Sequence, residues 1–148
     1  GKSFSANTFA LARQKWNEID RKMAQFHTSY DLLLTPTLGR KPFVIGTMNN
    51  SPAEDIALKT LNVLGLSSVV RYTGLIEKVA EKTFSWMPYP ALANITGQPA
   101  MSVPLHWSSD GLPVGVMFTA PVNDEATLFQ LAAQLEQAQP WFDKVASI

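Results

Sequence analysis

The hydrophobic pattern changes its period near residue 30, and this change constrains the fold more than any other feature of the sequence. Before that point, large apolar side chains recur about every three and a half residues, which predicts one long helix over residues 5–29. Directly afterwards, the apolar run Leu32–Leu34 stops at Pro36, which predicts a strand buried on both faces. A helix that leads directly into such a strand is typical of α/β proteins.

The helical part of this pattern carries a stripe of large side chains on one face. Ser5 precedes the stripe and is the predicted N-cap. The stripe has two interpretations, a ligand groove or a surface packed into the core, and the burial preferences of these residue types favour core packing. Its members are Phe9, Trp16, Ile19, Met23, Phe26 and Tyr30.

The middle of the chain predicts a loop followed by two helices. Residues 36–50 are rich in proline, glycine and asparagine, which favours a loop. Ser51 begins a helix, because a proline follows it and Glu54 stands at the capping-box position. Gly65 is the predicted end of that helix, and a second helix is predicted over residues 67–83.

The last third predicts a hairpin and a terminal helix. Residues 100–105 and 114–119 are strand-like and flank an Asp-Gly turn, which is a strong reversal signal. Asn123 is the predicted cap of the last helix. The proline-punctuated residues 85–90, upstream of the hairpin, are incompatible with one regular helix. Four apolar residues of the last helix share one face, namely Leu128, Leu131, Ala132 and Leu135.

These elements in order predict a three-layer α/β/α arrangement. Three strands are few for 148 residues, and a strand buried on both faces requires neighbours on both sides. The sequence therefore predicts a sheet that is incomplete within these residues.

The composition excludes several classes of function. Twelve acidic residues balance twelve basic ones without a block of like charge, which disfavours nucleic-acid binding. No apolar run reaches the roughly 18 residues of a membrane span, so we expect no membrane partner. The absence of cysteine excludes disulfides and cysteine-ligated zinc. Without an apolar leader at its start, the chain is expected in the cytoplasm.

The nucleophilic and metal-ligating residue types form no convincing site. His27 and His106 are the only histidines, and neither stands in a pattern that predicts a Ser–His–Asp triad or a metal shell. The serine pairs 67–68 and 108–109 precede a valine pair and a turn, respectively. We therefore predict no catalytic residue, no metal and no cofactor in this chain.

Three segments in fixed order carry a resemblance to a known family. They are residues 30–37 (YDLLLTPT), 94–104 (NITGQPAMSVP) and 111–116 (GLPVGV). Together they resemble the C-terminal third of amidase-signature enzymes. The ending Leu135–Trp141 is most similar to the branch of the 6-aminohexanoate-cyclic-dimer hydrolases, the nylon-oligomer amidases.

The resemblance implies both a fold and a mechanism. The fold is the C-terminal portion of a three-layer α/β/α domain with a mixed sheet, with residues 1–148 as a single piece. Family members hydrolyse carbon–nitrogen amide bonds through an acyl-enzyme, with a serine nucleophile, a second serine in a cis peptide bond and a lysine. Those residues lie upstream of the matched segments, and no Gly-Gly-Ser-Ser-Gly-Gly-Ser loop occurs here. We therefore expect this chain alone to be inactive.

The resemblance also locates a candidate substrate pocket. Residues 48–90 correspond to a helical insert near the cleft. The candidates for contact with a small amide substrate are Phe84, Trp86 and Tyr89 in this insert and Asn94 just after it. The alternative interpretation is that the aromatic residues pack the insert onto the sheet and that Asn94 caps a loop.

A second class of function fits the same residues. The chain would then be a stand-alone module that binds a peptide or small amide, or that pairs with another subunit carrying the nucleophile. The unpaired edge of an incomplete sheet also favours a homo-oligomer of the isolated chain.

Overall fold

The computed structural model describes residues 5–42, 44–47, 49–65 and 74–146. Its elements are α1 (Ala6–Phe26), β1 (Leu33–Pro36), α2 (Pro52–Val63), α3 (Leu75–Trp86), α4 (Pro90–Thr96), β2 (Ala100–Trp107), β3 (Pro113–Thr119) and α5 (Glu125–Ala138). No helix within these residues combines the length and the apolar character that a membrane span requires.

The three strands form a sheet in the order β1-β3-β2, and both pairs are antiparallel. The predicted hairpin is confirmed, with an irregularity in β2 between Val103 and His106. Thr119 at the end of β3 pairs with Leu33 on one side and Ala100 on the other. The parallel strand pairs of a mixed sheet do not occur among the strands described.

The core lies between the hairpin and α5. Val103, Phe118, Ala120 and Leu128 form a buried cluster. The predicted apolar face of α5 is confirmed, because Leu131 and Leu135 pack against that cluster. The helix thus covers one face of the β2–β3 pair.

The cap of α5 differs from the prediction by one residue. Asp124, rather than Asn123, accepts a hydrogen bond from the Thr127 backbone N–H at 3.3 Å. Asn123 has a φ of 66°, a left-handed conformation that asparagine tolerates better than most residues. Asn123 therefore makes the turn and leaves the capping to the carboxylate beside it.

The predicted first helix is confirmed, and Ser5 caps it by accepting from the Thr8 N–H at 3.1 Å. The predicted core packing of its stripe is wrong for the N-terminal turns, where Phe9 is 64% exposed, whereas Ile19, Met23 and Phe26 nearer the end of α1 are half-buried. The neighbour of α1 is α4. Seven residues of α4 reach about 10 Å, whereas the 21 residues of α1 reach about 31 Å. The short helix leaves the N-terminal turns uncovered.

Strand β1 occurs where the run Leu32–Leu34 predicted it, but its predicted burial on both faces is wrong. Leu34 is 61% exposed. The strand pairs only with β3 and forms one edge of the sheet. Because α5 packs on β2 at the opposite edge, the described residues place no helix over Leu34.

The middle of the chain contains the predicted helices with altered bounds. The capping box of α2 is confirmed, since the Ser51 N–H donates to Glu54 Oε2 at 2.7 Å and the Glu54 N–H donates to Ser51 Oγ at 3.3 Å. Helix α3 begins after Gly74, whose φ is 69°, and residues 67–73 of the predicted second helix lie outside the described residues. Helix α4 was not predicted, and it begins at Pro90.

Candidate functional site

The four predicted pocket residues lie on α3, on α4 and on the connection between them. Phe84 is 54% exposed, and Asn94 is also exposed. Trp86 and Tyr89 are half-buried. The four residues thus occupy one short stretch of the chain, and neither of the two cavities described below is lined by any of them.

Trp86 is the point at which this region joins the loop after β1. The backbone N–H of Gly39 donates to the carbonyl oxygen of Trp86 at 2.8 Å. The guanidinium carbon of Arg40 lies 5.5 Å from the centroid of the Trp86 ring, within the range of a cation–π interaction. A Cβ on residue 39 would stand 3.0 Å from the Ser85 carbonyl oxygen, so the close approach of the loop to α3 favours glycine.

A cavity of about 210 Å³ opens between this loop and the start of β3. We call it the loop cavity, and it is lined by Leu38, Gly39, Arg40, Lys41, Pro42, Pro113, Val114 and Gly115. Lys41 Nζ lies 3.2 Å from Asp110 Oδ2, and both side chains are largely exposed. The sequence predicts only a loop over residues 36–50; the signal for this cavity is the adjacent cations Arg40 and Lys41.

Gly115 fits beneath a pair of hydroxyl groups on the sheet. The Thr37 N–H donates to the Gly115 carbonyl oxygen at 3.1 Å, and Thr37 Oγ1 lies 2.6 Å from Ser102 Oγ. A Cβ on residue 115 would lie 2.5 Å from Ser102 Oγ. A side chain at this position would therefore displace the hydroxyl pair that joins the three strands.

A second cavity, of about 300 Å³, lies where α1 ends, with Asp20, Met23 and Pro121 among its walls. One of its polar lining residues, Gln98, is buried at 7% exposure. The Gln98 amide nitrogen donates to the Ala120 carbonyl oxygen at 2.8 Å, and the amide oxygen accepts from Thr96 Oγ1 at 2.9 Å.

His27 completes this hydrogen-bond network. Its Nδ1 lies 3.0 Å from the Tyr30 carbonyl oxygen, and its Nε2 lies 2.8 Å from the Gln98 amide nitrogen. A carbonyl only accepts, so Nδ1 carries the proton and Nε2 accepts from the amide. His27 thus connects the end of α1 to the sheet, and both ring nitrogens are already engaged.

The structure describes one of the two serine pairs and the second histidine. Ser108 Oγ accepts from the Leu112 N–H at 3.2 Å, within the hairpin turn. His106 is exposed on β2. The pair Ser67 and Ser68 lies outside the described residues. Within the described ranges, no three acidic or histidine side chains gather closely enough to hold a metal ion.

Comparisons with known proteins identify relatives of this chain. The Amidase family model matches residues 74–129. The Mycobacterium leprae protein named amidase AmiC is 35% identical over 130 residues, which are 88% of this chain and 23% of the relative. The 6-aminohexanoate-cyclic-dimer hydrolase of Pseudomonas sp. strain NK87 is 34% identical over 116 residues, 78% of this chain and 20% of the relative.

The fold agrees with these sequence matches. A solved structure of 6-aminohexanoate cyclic dimer hydrolase complexed with substrate has a TM-score of 0.73 to this chain at 28% sequence identity. The match covers 99% of this chain and 27% of the hydrolase chain. The chain spans between a fifth and a quarter of the length of the curated relatives described here. The resemblance inferred from the three segments is therefore confirmed, and the chain corresponds to the C-terminal part of an amidase-signature enzyme.

Proposed function

We propose that this chain completes the sheet and one wall of the substrate cleft of an amidase whose catalytic residues lie outside it. The whole enzyme hydrolyses carbon–nitrogen amide bonds through an acyl-enzyme, using the serine, cis-serine and lysine of the family. The observation that carries the proposal is the TM-score of 0.73 to a substrate-bound hydrolase over 99% of the chain.

The hydrogen bonds of the described serines support an inert chain. A serine hydroxyl becomes an effective nucleophile only beside a base that takes its proton. Within the described ranges, no serine hydroxyl is hydrogen-bonded to a lysine amine or a histidine ring. Ser102 is paired with the Thr37 hydroxyl, and Ser108 is engaged in the hairpin turn.

Residues 48–90, together with Asn94 just after them, supply the cleft wall in this proposal. The aromatic side chains of Phe84, Trp86 and Tyr89 present apolar surface, and Asn94 adds an amide that both donates and accepts. Such a wall suits a linear or cyclic aliphatic amide. The named substrate of the 6-aminohexanoate-cyclic-dimer hydrolases, a cyclic amide, belongs to that class.

The first experiment tests the chain by itself. The purified protein is incubated with a fluorophosphonate probe and, separately, with a chromogenic aliphatic amide, beside a 6-aminohexanoate-cyclic-dimer hydrolase as positive control. We expect labelling and turnover from the hydrolase alone. Covalent labelling of any serine in this chain would contradict the assignment of the chemistry to residues outside it.

A chimaera tests the amidase assignment itself. The matching C-terminal quarter of a 6-aminohexanoate-cyclic-dimer hydrolase is replaced by this chain, and hydrolysis of the cyclic dimer is measured. We expect activity, and we expect Trp86→Ala to lower kcat/KM about tenfold through lost apolar contact with the substrate. Phe129→Ala is the matched control, because Phe129 is 75% exposed on α5. A folded but inactive chimaera would favour the stand-alone binding module.

A further inference from the structure

We propose that the loop cavity binds a short aliphatic carboxylate, with the guanidinium of Arg40 as the group that recognises it. The walls of the cavity combine apolar side chains with a cationic rim. Leu38, Pro42, Pro113 and Val114 supply the apolar surface. The volume of about 210 Å³ equals that of about seven liquid waters, at about 30 Å³ each, which suits a carboxylate of about seven or eight heavy atoms, the size of hexanoate.

The two cations of the rim differ in their partners. Lys41 is already paired with Asp110 at 3.2 Å. Arg40 forms no salt bridge with any residue of the described ranges. The rim therefore carries one uncompensated positive charge beside an apolar surface, and this combination attracts an amphipathic monoanion.

The stacking of Arg40 determines how it can bind an anion. A guanidinium over an aromatic ring uses its face for the cation–π interaction and keeps its N–H donors in the plane, directed outward. The guanidinium carbon of Arg40 lies 5.5 Å from the centroid of the Trp86 ring, within the range of this interaction. The planar edge of a guanidinium matches the two oxygens of a carboxylate, which accept two parallel hydrogen bonds.

The loop that carries Arg40 is anchored at both sides. The Gly39 N–H donates to the Trp86 carbonyl oxygen at 2.8 Å, and the Thr37 N–H donates to the Gly115 carbonyl oxygen at 3.1 Å. These bonds fix the backbone before a ligand arrives, so binding orders few additional groups. A preorganised single cation with apolar walls favours a carboxylate over a phosphate, which requires more donors.

The statement that the bound carboxylate is part of the substrate rests on the proposed function. The statement that the loop cavity binds a carboxylate does not. Since Trp86 also belongs to the proposed cleft wall, a carboxylate held by Arg40 lies beside that wall. The substrate class is then an aliphatic amide that ends in a free carboxylate, and the cavity distinguishes it from a neutral amide of equal length.

The binding is tested by NMR titration of the ¹⁵N-labelled protein with hexanoate and with hexanamide, its neutral isostere. We expect hexanoate to shift the amide signals of Gly39 and Gly115 and to bind about tenfold more tightly than hexanamide, the effect of one charge-assisted contact. Arg40→Gln should weaken hexanoate binding about tenfold. Lys41→Gln is the matched control in the same loop and should change it less than twofold, because Lys41 is already paired.

Three results would overturn the proposal. They are equal binding of hexanoate and hexanamide, unchanged hexanoate binding in Arg40→Gln, and full retention of hexanoate binding in Arg40→Lys, which keeps the charge but loses the planar fork. The dispersion of each variant's spectrum shows that it is folded.

The chimaera separates this proposal from the amidase assignment and provides a second measurement. If it hydrolyses amides, Arg40→Gln should lower kcat/KM for carboxylate-ended amides about tenfold and leave neutral amides unchanged. Equal effects on both would refute the substrate class while the amidase assignment stands. Hexanoate binding in a protein that supports no hydrolysis would leave the site intact and refute the amidase assignment.

Discussion

The two halves of this chain differ in what covers their apolar surfaces. In the hairpin half, residues 98–141, the buried apolar side chains belong to the hairpin, to Ala120 just after it and to α5. In the helical half, residues 5–86, neither α1 nor α2 contains a buried residue. Both halves have amphipathic helices, so the difference lies in their partners.

The difference shows that an amphipathic sequence predicts which face of a helix is apolar. It does not predict which other element packs on that face. The hairpin and α5 are close in sequence, and each supplies the other's partner. Within the part of the chain that the structure describes, the main neighbour of α1 is the short α4. Since the relatives are four to five times longer than the matched region, the amidase proposal assigns the cover of α1 to residues outside this chain.

The largest expected change in stability comes from a substitution in the core of the hairpin half. Phe118 is 6% exposed, and Phe118→Ala should lower the free energy of unfolding by about 3–5 kcal/mol through lost burial and the cavity left behind. Phe129→Ala removes the same side chain from a site that is 75% exposed and should change it by less than about 0.5 kcal/mol. Urea denaturation followed by circular dichroism measures both. Similar losses would mean that the hairpin half has no distinct core.

The next effect tests the polar connection between the halves. Gln98→Leu removes the partners of the Ala120 carbonyl, the Thr96 hydroxyl and His27. Because unsatisfied buried groups each carry a desolvation penalty, we expect a loss of about 1–3 kcal/mol in the same denaturation experiment. Gln130→Leu, on the exposed surface of α5, is the control. An unchanged free energy of unfolding in Gln98→Leu would show that the network does not hold α1 to the sheet.

A smaller effect is expected where the helical half is uncovered. Phe9 is 64% exposed, so Phe9→Ser should change the stability of the isolated protein by less than about 0.5 kcal/mol. Sedimentation at several concentrations accompanies this measurement, because the exposed edge of β1 favours self-association. A loss above about 1 kcal/mol together with a shift to monomer would show that a second copy covers α1.

The smallest effect concerns the start of α2 and depends on pH. Hydrogen bonds from the Ser51 backbone and side chain lower the pKa of Glu54 below its ordinary value. A folded-state pKa below the unfolded one gives stability that is fully present above the ordinary glutamate pKa of about 4.3 and is lost as pH falls through the lower folded value.

Glu54→Gln should therefore weaken α2 at neutral pH, and the difference from wild type should shrink in acid. Helicity and denaturation midpoints measured between neutral and acidic pH provide the comparison. Glu136→Gln on the exposed face of α5 is the control and should show no such pH dependence. A difference that grows in acid would contradict the role of the ionised carboxylate in the capping box.

The sequence correctly predicted the features that depend on residues close together along the chain. The N-cap Ser5, the capping box of Ser51, the hairpin and the apolar face of α5 all arise from residues a few positions apart, where hydrogen-bonding chemistry and periodicity act directly. The three segments that resemble the amidases are equally local patterns. Helix α4 was missed because its proline-rich start obscured a periodic pattern over only seven residues.

Features that depend on distant contacts were decided by the tertiary structure. The exposure of Phe9 and Leu34, against the predicted burial, reflects which elements happen to face them. The loop cavity exists because Gly39 reaches Trp86 and Thr37 reaches Gly115, pairs separated by 47 and 78 positions. The sequence by itself determined the elements, their caps and the family resemblance. Only the folded chain decided which apolar faces are covered and where Arg40 lies, because burial and cation stacking depend on groups that local sequence does not bring together.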